Sequence, residues 1–229
     1  MPDHPARSKG LRRIHRTGDR TRPQTAPAPP GAEIASPEQP IGVIILPVSA
    51  LGSASTAGVR HVVAGLQNRG FATLLAELLS PAETEHGYHN LDIDLLAGRI
   101  VDFTENLRHK ASFKDLPIGY FGTGIDAAAV AIAAAHPDCP ANAIVLCDAR
   151  PELASNALTL IHAPTLFIVE DDELALHLNR SALARLGCRA DLAVLHGPGK
   201  NLASPEIASQ AARLAGDWFE THLCSQEED

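Results

Sequence analysis

The chain has 229 residues, of which 45% are hydrophobic and 20% charged, with a formal net charge of −8. Its longest apolar runs fall short of the roughly 18–20 residues that a membrane helix needs, which excludes a membrane-spanning helical protein. Aromatics are only 4%, too few for a stacking surface on single-stranded nucleic acid. Cys139, Cys147, Cys188 and Cys224 form no C-x-x-C pair, which argues against a structural zinc site or a disulfide scaffold and for the reducing cytoplasm.

Residues 1–40 hold seven basic residues (Arg7, Lys9, Arg12, Arg13, Arg16, Arg20, Arg22), four acids and eight of the 17 prolines. They show no apolar period, so they are expected to form a disordered basic arm, 1–40. No apolar stretch follows the arginines, so the arm does not read as a secretory signal. Such an arm is a solvated tail or makes weak contact with nucleic acid or an acidic partner.

From residue 41 strands and helices alternate. Ile41–Val48 is a short apolar, β-branched run that suits a strand covered on both faces. Ala57–Arg69 carries Val59, Val62, Val63 and Leu66 at helical spacing, and Gly70 stops it. Phe71–Ala76 is a second strand. Asp92–His109 places Ile93, Leu96, Ile100, Phe103 and Leu107 on one stripe of a long helix. Pro117–Phe121 is a strand running straight into Gly122. An alanine-rich helix follows over Ile125–His136 and closes at Pro137. Ala143–Cys147, Thr165–Val169 and Asp191–Leu195 are three further strands. Between the last two lies a helix near Leu176–Leu186, and the last helix spans Pro205–Leu223. Strands separated by helices predict right-handed crossovers and a parallel sheet. The expected fold is therefore a three-layer α/β/α sandwich of about six mostly parallel strands over residues 41–223, followed by an acidic tail, 224–229. Functional groups of such sheets sit at the carboxyl ends of the strands.

The turns at those ends carry a resemblance. In the order of elements and in LQNRGFATLLAELLSP, LPIGYFGTGIDAAAVAIAAA, APTLFIVEDDE, LNRSALARL and RLAGDWFETHL, the chain resembles the α/β-hydrolase superfamily, specifically its small dienelactone-hydrolase-like members. That resemblance implies a G-x-S-x-G-like elbow whose nucleophile sits on a sharp strand-to-helix turn. The matching turn is Gly122-Thr123-Gly124-Ile125-Asp126, which places Gly124 at the nucleophile position. It places Asp172 at the acid position, with Asp171 the near alternative, inside the acidic turn Glu170–Glu173. It places Asn201 where the catalytic histidine stands. Glycine has nothing to attack with, and asparagine takes no proton near pH 7. The oxyanion turn reads Pro47-Val48-Ser49-Ala50-Leu51-Gly52-Ser53, and its backbone N–H groups need no particular side chain.

Two functional expectations follow. The first is a hydrolase-fold protein that has lost its triad and binds a small molecule or a protein partner, without a cofactor. The second is an ester or lactone hydrolase using unorthodox groups, with Thr123, Asp126 or Cys147 as nucleophile and His196 as base. The local alternative for Asp126 is service at a positive helix N-terminus. For Asp172 it is a helix cap, and for Cys147 an inert buried thiol. Ser49, Glu77 and Arg150 are expected around the pocket. His86, His89 and Asp92 have a ligand-like spacing, but such a loop collects histidines without a metal, and no metal site is expected.

Overall fold

The computed structural model describes residues 31–49, 56–85, 92–138, 141–197 and 202–224. Its elements, in chain order, are β1 (Gly31–Ala35), β2 (Val43–Val48), α1 (Thr56–Gln67), β3 (Ala72–Glu77), α2 (Pro81–Glu85), α3 (Ile93–Arg108) and β4 (Ile118–Thr123). They continue with α4 (Gly124–Ala134), β5 (Ala141–Cys147), two 3-10 turns (Pro151–Ala154 and Leu158–Leu160), β6 (Thr165–Glu170), α5 (Glu173–Leu183), β7 (Ala190–Leu195) and α6 (Pro205–Leu223). The strands form one seven-stranded sheet in the order β1-β3-β2-β4-β5-β6-β7. All neighbours are parallel except β1, which runs antiparallel to β3.

The alternation of each central strand builds two cores. Val43 and Ile45 face one layer while Ile44 and Leu46 face the other, and Tyr120 and Phe121 divide in the same way. The first layer is α3, α4 and α5, through Leu96, Ile100, Phe103, Ala127, Val130 and Ala182. The second is α1 and α6, through Val59, Val62, Leu66, Ile207, Ala211 and Phe219. This is the expected three-layer sandwich. A buried hydroxyl pair fastens α3 to the central strand, with Thr104 Oγ1 2.7 Å from the Tyr120 hydroxyl.

The seventh strand is a correction. Gly31–Ala35 was expected to belong to the disordered arm, yet it pairs in full register with β3, from Gly31 opposite Glu77 to Ala35 opposite Thr73. Its own apolar content is low, with only Ile34 packed against the core. The strand forms because the open edge of β3 supplies backbone partners, which an apolar period does not reveal. The short helix α2 was also not expected. It starts on a reciprocal cap, with Ser80 N–H donating to Glu83 Oε2 (2.8 Å) and Glu83 N–H donating to Ser80 Oγ (3.2 Å). Helix α5 starts three residues earlier than its apolar stripe predicts, because Asp172 Oδ1 accepts from Ala175 N–H at 2.9 Å. Among the described residues no helix is long and apolar enough to cross a membrane.

Candidate functional site

At the carboxyl end of β4 the chain passes from strand to helix within one residue. Thr123 is extended (φ −128°, ψ 141°) and Gly124, the first residue of α4, has φ +54°. An L side chain is strained in that left-handed region, whereas glycine enters it freely. Gly122 is needed for close approach. A Cβ there would lie 2.6 Å from Ala127 Cα and 2.9 Å from Val130 Cγ2, inside α4 as it folds back over the strand. The elbow geometry is thus present with a glycine at its tip.

The remaining candidates for attack are held in other roles. Thr123 is buried, and its register partner across β4 and β5 is Cys147. Cys147 belongs to the second core, and burial, reinforced by Asp148 and Glu170, pushes its thiol well above the usual range. A thiol so placed stays protonated and inert. Asp126, only 2% exposed, is committed to Ser49: the Ser49 N–H donates to Oδ2 at 3.0 Å and the Ser49 hydroxyl to Oδ1 at 2.5 Å. Burial raises its pKa to about 6, opposed by those two hydrogen bonds. The carboxylate therefore clasps the turn leaving β2 across the top of the sheet, rather than only serving its own helix end. It also engages a backbone N–H of the turn in which the resemblance places the oxyanion donors.

Asp172 sits beside this elbow and is the N-cap of α5. It lines a cleft of about 490 Å3 with Gly124, Ile125, Asp148, Arg150, Glu152 and Asn179 among its walls. Leu174, 66% exposed, and Leu178 form an apolar rim. Arg150 lies in the cleft, with Nε 2.9 Å from Glu152 Oε1. Two features here carried no sequence signal. Asp148 has φ +48°, a conformation that is uncommon without a glycine and that concentrates at functional sites. Asn179 is 1% exposed, and its Nδ2 donates to Ala175 O at 2.9 Å and reaches Ala149 O at 3.5 Å, while its Oδ1 has no partner.

Three expected members stand elsewhere. Glu77 ends β3, two strands from β4, and lies exposed against Gly31 at the β1 edge, so it does not line the cleft. Ser49 is buried in its clasp with Asp126 and does not line it either. His196 projects into solvent at the end of β7, with Nδ1 3.6 Å from Asp171 Oδ2. It lines a second cleft with Glu170, Asp171, Asp172, Leu195, Gly197 and Ile207, a lining that includes none of Thr123, Asp126 and Cys147, and its backbone is bonded by the Gln210 side chain. Asn201, His86 and His89 lie outside the described residues, and Asp92 caps α3 through Leu95 N–H. No group of three or more metal-ligating side chains occurs among the described residues.

No family model matches the chain. A dienelactone hydrolase from Anabaena variabilis superposes with a TM-score of 0.77 at 32% identity, covering 84% of this chain and 91% of that one. Est1E from Butyrivibrio proteoclasticus superposes at 0.69 with 12% identity, a likeness of fold alone. A Mycobacterium tuberculosis protein with the provisional name phosphoribosyl transferase is 37% identical over 199 residues. The match takes in 86% of this chain but 45% of that protein, so the chain spans about half the length of this curated relative.

Proposed function

The chain belongs to the dienelactone hydrolase family of the α/β-hydrolase fold, and from that premise we propose that it is a non-catalytic binding member, which holds a small molecule in the cleft beside its elbow. The observation that carries this reading is Gly124, which occupies the elbow tip at φ +54° without a side chain. Removing one member of a triad already leaves only a small residual rate over water, and Asn201 stands at the position that the resemblance gives to the base. A cleft of about 490 Å3 is of ordinary size for a small-molecule ligand.

Phosphoribosyl transfer is not part of this reading. That name belongs to a protein of which the chain spans 45%. A phosphoribosyl donor is polyanionic, whereas the cleft lining carries Asp148, Glu152 and Asp172 against the single guanidinium of Arg150.

A second reading is favoured by one contact. The Ser49 hydroxyl lies 2.5 Å from Asp126 Oδ1, the arrangement of a serine with a carboxylate base. One experiment separates the two. Purified full-length protein is incubated with a fluorophosphonate and its intact mass measured, with short-chain aryl ester turnover assayed in parallel. The binding reading expects no adduct and no turnover above buffer. A stoichiometric adduct mapping to Ser49 establishes the hydrolase instead.

A further inference from the structure

We propose that residues 1–30 turn back onto their own domain, seating Leu11 and Ile14 on the apolar wall of the cleft beside Gly124 and their flanking arginines on its acidic rim. This goes beyond the binding reading, because the contact requires neither a bound small molecule nor the absence of catalysis.

The direction of β1 decides where this segment meets the domain. β1 runs antiparallel to β3, so Gly31, its first residue, lies opposite Glu77, the last residue of β3. Residues 1–30, which lie outside the described residues, therefore join the domain at the carboxyl end of the parallel strands. That end carries the cleft, whereas a parallel β1 would deliver them to the opposite one. From β1 the sheet passes through β3, β2, β4 and β5 to β6, whose carboxyl end leads into Asp172. The width crossed is about 24 Å at the usual strand spacing. A random coil the length of residues 17–30 spans about 20 Å and an extended one more than about 40 Å, so Leu11–Arg16 reaches the cleft.

The two sides are complementary in chemistry. Residues 1–30 hold seven basic and two acidic residues, whereas the rest of the chain holds 12 basic and 25 acidic ones. Leu11 and Ile14 stand among Arg12, Arg13 and Arg16, and apart from Met1 they are the only large apolar side chains of the segment. On the domain, Leu174 is 66% and Leu178 36% exposed. They lie one helical turn apart on α5 and form the apolar wall with Ile125 and Ala175. Covering them removes apolar surface from water. Glu152, Asp171, Asp172 and Glu173 are exposed around this wall, against the guanidinium groups of Arg150, paired with Glu152, and Arg180. Among the described residues no ion pair involves Asp172 or Glu173. Attachment at the same end of the sheet also gives the segment an effective concentration on the order of millimolar, which a separate acidic macromolecule must exceed.

The test uses the full-length chain and zero-length carbodiimide coupling, which joins an amine to a carboxylate in contact with it. Lys9 is the one lysine of the segment and stands two residues before Leu11. At about 0.02 M salt Lys9 is expected to couple within one chain to Glu152, Asp172 or Glu173, read by peptide mass on the monomer fraction, and the yield is expected to fall roughly fivefold or more at about 1 M salt. The double substitution Leu11→Ser with Ile14→Ser is expected to lower the yield severalfold and to speed trypsin cleavage after Arg12, Arg13 and Arg16. Neither position belongs to the two cores, so the domain stays folded. Leu174→Gln, which keeps a good helix former at an exposed position, is expected to act in the same direction. No coupling of Lys9, coupling only to carboxylates elsewhere, coupling only between two chains, or a yield indifferent to salt or to the double substitution overturns the proposal. The fluorophosphonate assay keeps the two readings apart. An adduct with the Lys9 coupling intact overturns the non-catalytic reading alone, and no adduct with no coupling overturns the docked segment alone.

Discussion

The carboxylate of Asp126 and the serine at position 49 are 77 residues apart in the chain, yet they share two hydrogen bonds across the top of the sheet. In the elbow pattern that the chain resembles, position 126 belongs to a small residue. Here a carboxylate fills it and ties the turn after β2 to the first turn of α4. The carboxylate at position 126 therefore engages both the hydroxyl and the backbone N–H of Ser49.

That clasp has a pH signature. Burial raises the Asp126 pKa to about 6, from 3.8 in the unfolded chain. Below about pH 4 both states are protonated and no penalty exists. Between about pH 4 and 6 the folded state keeps a proton that the unfolded state loses, so stability falls as pH rises, by about 3 kcal/mol in total. Asp126→Asn removes the titration while keeping one acceptor and one donor for Ser49. Chemical denaturation from pH 4 to 8 is expected to show the variant gaining about 2–3 kcal/mol on the parent. Parallel curves would contradict the assignment.

Ser49→Ala acts in the opposite sense. It strands the ionised Asp126 Oδ1, which costs about 1.5–3 kcal/mol for a charged hydrogen bond. The loss is expected to be larger at pH 8 than at pH 5, and urea midpoints at the two pH values measure it.

Gly124→Ser restores a hydroxyl at the elbow tip but places an L residue at φ +54°. The expected cost is about 1–2 kcal/mol. On the non-catalytic reading no base accompanies the new hydroxyl, so aryl ester turnover is expected to stay at the buffer rate. Turnover in this single variant would mean that a working base already lies within reach.

Glu83 and Arg99 form an ion pair in which the guanidinium is buried and the carboxylate is partly exposed. Arg99, with its side chain 2% exposed, meets Glu83 through two hydrogen bonds of 2.6 and 3.0 Å and donates to the Leu78 carbonyl. The Arg99 hydrogen bond, with help from the Ser80 N–H, holds the Glu83 carboxyl down at about 2. The contribution is present above the unfolded value near 4.5 and is lost as pH falls toward 2. Glu83→Ala leaves a buried cation unpaired and is expected to cost about 3–5 kcal/mol, while Glu83→Ala with Arg99→Met costs less than the single change. Thermal melts of the two variants provide the comparison.

Cys147 and Cys224 give a labelling contrast. Cys147 is buried with a raised pKa and Cys224 is exposed. Maleimide is expected to modify Cys224 in the native protein and Cys147 only after unfolding, read by peptide mass. Native labelling of Cys147 would return it to the list of reactive groups.

The layered fold and the glycine at the turn from β4 into α4 could both be read from the amino-acid sequence. Apolar runs such as Val43–Val48 and stripes such as Ile207, Ala211 and Phe219 encode which face is buried, because period 2 and period 3.6 are properties of the local backbone. The glycine at that turn is equally local, since Gly124 follows directly from the strand that places it. Asp172 as a cap was open to the same reasoning, because the acceptor and its N–H donor are three residues apart. The strand at Gly31–Ala35 was not, because its stability comes from the edge of β3, some forty residues further along. Nor were the clasp of Ser49 by Asp126, the exposure of His196, the displacement of Glu77 to the β1 edge or the orphan oxygen of Asn179. Each depends on which side chains the crossovers bring to one place at the carboxyl end of the sheet. Periodicity specifies the face that a residue presents to the core, but only packing and register decide which distant group it meets there, and that pairing governs charge, hydrogen bonding and the chemistry left to the cleft.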